Sequence, residues 1–278
     1  MHPLRRFILA ASLLLPLVLG GAATAEEKAP AAPAQTAPAP KEASASVVAP
    51  KSAAPAGVTL TTEGGKTAVC REQAAQPFLV RGSWFPKSND PDKVKAGRKM
   101  LEEAIKYRTT TYGYFEGFGQ KGWNKKAPKD YAKSTTFMGM SVQVHEKIIP
   151  ALKCVEAALV SSGAGAEYKP KAMGGIRFHN TYKGVEVSNH VYGIAIDIEP
   201  NLNTCCGCVA PWNKHPLCQD KSKTVWERMA MPRSWVETFE RYGFYWLGHD
   251  TLQDTMHFEF LGDPDKVLEG SSTVASSQ

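Results

Sequence analysis

The chain opens on an apolar run, crosses a stretch almost free of bulky apolar residues, and then shows alternating and helical patterns nearly to its end. In that third part, Pro91-Asp92 followed by Val94, Met100, Leu101, Ala104 and Ile105 predicts a helix start and one apolar face. Val142, Val144, Ile148, Ile149, Leu152, Val155 and Leu159 repeat the pattern over Met140 to Leu159, with Pro150 expected to kink or divide the helix. Residues 108–137 are rich in Tyr, Gly, Lys and Thr and read as irregular. Pro232 to Tyr242 predicts a helix that begins with Pro and ends at Gly243. Strand-like runs come late, at Gly193 to Ile198, Gly243 to Leu247 and Met256 to Phe260. Helices first and strands clustered late predict an α+β fold. There is no internal repeat.

The first two parts predict an address and a spacer. Arg5-Arg6, the apolar run Phe7 to Leu19 and the small-x-small site Ala23-Thr24-Ala25 read as a signal peptide over residues 1–25. An exported protein, periplasmic or secreted, is therefore expected, with no membrane span once the leader is removed. Residues 26–57 hold twelve Ala and six Pro, so they have little to bury and read as an extended, disordered linker. Residues 58–269 are expected to form one domain, with its core at about 140–262, and residues 270–278 a disordered tail.

Composition narrows the classes without choosing among them. Of the 278 residues, 43% are hydrophobic and 22% charged, which excludes a wholly disordered chain. The single long apolar run excludes a multi-pass membrane protein. The net charge of +6 falls to +4 without Arg5 and Arg6 and forms no long basic block, so no nucleic-acid partner is expected. A monomer is expected.

The chemistry sits in two short segments, Ser188-Asn-His190-Val-Tyr-Gly193-Ile-Ala-Ile-Asp197 and Asp254-Thr-Met-His257-Phe-Glu259. A catalytic metal site of the zinc kind takes three nitrogen or oxygen ligands and leaves a position open, a need that His190, Asp197 and His257 would meet. Asp254, close before a ligand histidine, would then be placed to take a proton from water. His257 and Glu259 share one strand face, which fits a ligand with an orienting carboxylate behind it and equally a structural ion pair.

Ser-x-His-x-x-Gly-x-Ala-x-Asp at 188–197 and Asp-x-x-His-Phe-Glu at 254–259 resemble, in order, the two signatures of the D-alanyl-D-alanine carboxypeptidase-like zinc peptidases, a group that includes L-alanyl-D-glutamate endopeptidases. The resemblance covers about 140–262. It implies Zn2+ held by His190, Asp197 and His257, and Asp254 as general base. It places Ser188 beside the metal to help position substrate, and Arg177 as the arginine that holds substrate and steadies the oxyanion. It further implies a small antiparallel sheet with helices on one side, a metal site at strand ends, and peptidoglycan stem peptides as substrate, cut at D-Ala-D-Ala or L-Ala-D-Glu. The same fold could instead serve as a non-catalytic, metal-containing peptidoglycan-binding module, or as a scaffold built on its cysteine-rich loop.

That loop, Cys205 to Cys218, departs from the family pattern and reads as an insertion. In an exported protein disulfides are favoured there, with Cys70 and Cys154 as a further pair; the competing reading is a second zinc site from Cys205, Cys208, His215 and Cys218.

Overall fold

A computed structural model describes residues 57–61, 65–182 and 186–269. The predicted signal peptide, nearly all of the linker and the tail from 270 lie outside the described residues. In chain order the elements are β1 (Thr59–Thr61), β2 (Thr67–Cys70), α1 (Pro91–Tyr112), β3 (Ala132–Phe137), β4 (Met140–His145), α2 (Ile149–Ser161), β5 (Met173–Gly174), β6 (Ala195–Ile198), α3 (Arg233–Arg241), β7 (Phe244–Trp246), β8 (His257–Phe260) and β9 (Leu268–Glu269). The strands form three antiparallel sheets, ordered β1-β2-β9, β3-β4 and β5-β6-β8-β7. The α+β expectation holds, but strands are not confined to the later part of the chain.

α1 starts where the sequence places it. Asp90 caps it by accepting from the Asp92 amide at 3.0 Å, and Pro91 occupies a first-turn position that needs no donor. The helix expected over Met140 to Leu159 is instead a strand followed by a helix. Met138 and Gly139 both have positive φ (48° and 82°), the backbone of a tight hairpin turn, and Val142 and Val144 alternate with exposed Ser141 and Gln143. Pro150 does not kink a helix; it sits in the first turn of α2. Residues 108–137, expected to be irregular, supply the end of α1 and all of β3.

The four-stranded sheet separates core from chemistry by strand alternation. Ile196 and Ile198 on β6 and Phe258 and Phe260 on β8 join one apolar cluster with Leu152 and Val155 of α2 and Trp235 and Phe239 of α3. Phe239 stacks on Phe258 with centroids 4.3 Å apart, and Trp235 Nε1 donates to the Ala164 carbonyl at 2.9 Å. Asp197 pairs with His257 across the strands and Ala195 with Glu259, so these four belong to the opposite face. The expectation of helices on one side fits α2 and α3. α1 departs from it, because its Arg108 reaches Asn189, next to the first ligand histidine.

Three disulfides are formed. Cys70–Cys154 ties β2 to α2, while Cys205–Cys208 and Cys206–Cys218 close the loop after β6. The alternative four-ligand zinc set is not assembled: its cysteines are bonded, and His215 Nδ1 accepts from the Leu217 amide. Among the described residues no helix is long and apolar enough to cross a membrane.

Candidate metal centre

The first signature is a tight turn running into β6. Val191 N–H donates to Ser188 C=O at 2.9 Å, Gly193 N–H to His190 C=O at 3.0 Å and Ile194 N–H to Asn189 C=O at 3.1 Å. Gly193 has φ +68°, and a Cβ there would stand 2.8 Å from the His145 amide nitrogen, so both backbone conformation and space call for glycine. This turn sets His190 beside Asp197 of β6, and the β6–β8 register brings His257 opposite Asp197. All three side chains are buried.

Their donor atoms converge. His190 Nε2 lies 3.1 Å from His257 Nδ1 and 3.2 Å from Asp197 Oδ2, and His257 Nδ1 lies 2.9 Å from Asp197 Oδ1. The outer ring nitrogens are engaged elsewhere. His190 Nδ1 meets the Gly175 carbonyl at 2.7 Å, a contact that only an N–H can make favourably, which leaves Nε2 with a lone pair directed inward. His257 Nε2 lies 3.1 Å from Glu259 Oε1, so an N–H there leaves Nδ1 free to face the cluster. Two inward lone pairs and a carboxylate repel one another unless a cation lies between them. Their spacing is close to the edge of a tetrahedron with bonds of about 2.0 Å, roughly 3.3 Å. The residues therefore fit a divalent metal with three protein ligands.

Without a metal, a proton takes the cation's place. Burial would push His257 down, but Asp197 and Glu259 outweigh it and raise its pKa to about 10. His190 goes the other way, because its burial outweighs the pull of Asp197. Asp197 is held well below the usual carboxylate range: burial opposes this, but its close contacts with His190 and His257 prevail. Glu259 is lowered in the same manner by His257, Asn189 and Arg108 against its own burial.

Asp254 is not one of the three converging donors. Its Oδ1 is buried with no hydrogen-bond partner, and burial pushes the carboxyl up to about 7, with Asp197 adding to the rise and His257 opposing it. Its segment is clamped by the cysteine loop. Cys205 bridges Asp254 in antiparallel fashion, Thr255 N–H donates to Thr204 C=O at 3.1 Å and Gly207 N–H to Leu252 C=O at 2.6 Å. Cys205, Cys208 and Asp254 form a second group whose ligand-type atoms all lie within 4.8 Å of one another, but both sulfurs are spent in the disulfide.

Arg177 pairs through Nη2 with Asp197 Oδ2, and its side chain is 39% exposed, so it can still meet a ligand. It opens onto a groove of about 280 Å³ lined by Tyr114, Phe115, Pro128, Lys129 and Phe178. Ser188 is buried and its Oγ accepts from the His190 amide at 3.4 Å, which shapes the turn that presents His190. His249 pairs with Glu240 at 2.9 Å instead of facing the cluster.

Three participants escape sequence reasoning: the Gly175 carbonyl, Asn189 and Arg108. A carbonyl carries no residue signature, and Asn189 is only the variable position before His190. Arg108 ends the patterned part of a helix, where arginine is ordinarily solvated.

No curated protein and no solved structure matches the chain. A family model does match, over a span that includes His190, Asp197, Asp254, His257 and Glu259 and excludes Arg108 and Arg177. The segment carrying both signatures is thus similar to the D-alanyl-D-alanine carboxypeptidase family, whose model matches residues 182–260.

Proposed function

We propose that the protein is an exported zinc metallopeptidase that hydrolyses an amide bond in peptidoglycan stem peptides. The observation that carries this reading is the convergence of His190 Nε2, Asp197 and His257 Nδ1, with both outer ring nitrogens hydrogen-bonded, together with the buried Asp254, whose Oδ1 has no hydrogen-bond partner and which is electrostatically coupled to His257 and Asp197. Three disulfides and the match to a D-alanyl-D-alanine carboxypeptidase model support export and the substrate class.

In this reading His190, Asp197 and His257 hold the zinc. The metal, when bound, supplies Lewis acidity that polarises a carbonyl and makes water easier to deprotonate. Asp254 Oδ1 accepts the proton of the attacking water and returns it to the leaving amine. Burial, the main cause that raises Asp254 in the metal-free site, favours its taking up that proton. Arg177 exchanges part of its contact with Asp197 for the substrate and steadies negative charge developing on the carbonyl oxygen. Ser188 keeps the His190 turn in shape. The aromatic groove beside Arg177 receives the peptide.

Mass spectrometry of purified peptidoglycan incubated with the zinc-loaded, oxidised protein, with and without a chelator, tests the reading. Chelator-sensitive loss of a terminal alanine identifies a carboxypeptidase, and release at L-Ala-D-Glu an endopeptidase. Binding to several wall chemistries without cleavage would replace the enzyme by a binding module.

A further inference from the structure

α1 lies wholly outside residues 182–260, yet it sends one charged side chain into the interior. Arg108 is 2% exposed, and among the described residues no carboxylate stands within ion-pair distance of it. A buried guanidinium is costly unless its donors and charge are answered. Its faces are covered by Trp84 and Tyr192, with the guanidinium carbon 5.1 and 5.3 Å from the ring centroids. Nε donates to the Ala104 carbonyl of its own helix at 3.3 Å. Nη1 donates to the Val187 carbonyl at 3.4 Å and to Asn189 Oδ1 at 3.1 Å.

The contact with Asn189 leads to the metal centre. Arg108, Asn189 and Glu259 line one cavity, the Asn189 amide helps to keep Glu259 ionised, and Glu259 Oε1 lies 3.1 Å from His257 Nε2. With its oxygen held by Arg108, the Asn189 amide can offer only N–H groups to Glu259; turned over, it would set a carbonyl against a carboxylate. Glu259, fixed in turn, keeps the proton of His257 on Nε2 and the lone pair on Nδ1. Donation converges on the carboxylate, from guanidinium to amide to Glu259 on one side and from the His257 N–H to Glu259 on the other.

We propose that Arg108 is a positioning residue for the metal centre, acting through Asn189 and Glu259 on the ligand His257. The proposal rests on the reading of His190, Asp197 and His257 as zinc ligands. It assigns α1, which the family match does not reach, a part in holding the metal.

The test is a double-mutant cycle on zinc affinity, measured by competition with a chromophoric chelator, with far-UV circular dichroism as a check on folding. Arg108→Met is expected to weaken zinc binding about tenfold, and Glu259→Gln by about 10- to 100-fold. The double variant should be no weaker than Glu259→Gln alone, because the route from Arg108 is already cut there. Should Arg108→Met fail to fold, Asn189→Leu cuts the same route with Arg108 in place and should show the same non-additivity. Unchanged affinity in the single variant, or losses that multiply in the double, would overturn the proposal; so would a wild-type protein that binds no zinc, which would sink the metal reading as well. Zinc binding with the expected coupling but no peptide cleavage would uphold the role of Arg108 and remove only the peptidase.

Discussion

His190, Asp197 and His257 bring one ligand-type atom each within 4.8 Å of one another, and so do Cys205, Cys208 and Asp254. Both groups are largely buried, and both lie along the segments that meet at β6 and β8. Their chemistry differs because of where the electron pairs are. In the first group the outer nitrogens are hydrogen-bonded away, so two lone pairs and a carboxylate face inward and require a cation. In the second the sulfurs are joined to each other, so neither is a thiolate, and Asp254 keeps an unpartnered oxygen. Proximity of ligating residue types does not make a metal site; the state of the donor atoms does.

The largest effect that would test this contrast comes from His257→Ala. Zinc binding and hydrolysis are expected to disappear together, whereas the oxidised wild type should take up one zinc per chain by metal analysis. Two equivalents would break the contrast. Asp254→Ala should keep the zinc and lower kcat by about a thousandfold, within the range of a lost general acid–base; equal loss of metal would place Asp254 among the ligands.

A third buried imidazole sharpens the comparison from outside both groups. His145 is stacked against Tyr131 and edge-on to Tyr112, with its Nε2 unpartnered, and burial lowers its pKa from 6.5 to about 4. The unfolded chain therefore binds the extra proton first as the pH falls. This contribution to stability is full above about pH 6.5 and is lost between there and pH 4, by about 3 kcal/mol. Denaturant unfolding at pH 7 and pH 4.5 should show that loss shrinking in His145→Gln; an identical pH dependence in both proteins would refute it. The smallest effect expected is that of Cys205→Ser with Cys208→Ser. The bridge closes a short loop, sequence separation 3, so its removal should lower stability by only about 2 kcal/mol while zinc stoichiometry stays at one.

Most of the centre is legible in the sequence because its chemistry needs rare residue types at fixed offsets. His190, Gly193 and Asp197 occupy one turn and one strand, and His257 and Glu259 alternate on the next. The helices α1 and α3 are legible through proline and apolar spacing. The hairpin β3-β4 is not, because Val142 and Val144 fall in phase with the helical positions of Ile148, Ile149 and Leu152, and the turn that separates them depends on Met138 adopting a positive φ. The backing of the centre is equally hidden. Arg108 falls in phase with Leu101, Ala104 and Ile105 on the apolar face of α1, but its residue type argues against burial, and Asn189 acquires its meaning only once that guanidinium arrives beside it.

The sheet β1-β2-β9 has a mechanical consequence. It pairs Thr59–Thr61 with β2, and β2 in turn with Leu268–Glu269, so the two ends of the described domain leave from strands that flank a single neighbour. A pull applied at Val58 would load the short β1–β2 ladder first. It would then meet the covalent link from Cys70 to Cys154, which anchors β2 to α2, before it reached β6 or β8. Tension entering at Val58 thus passes through a sulfur–sulfur bond into α2, not along the strands that carry the imidazoles and carboxylates of the centre.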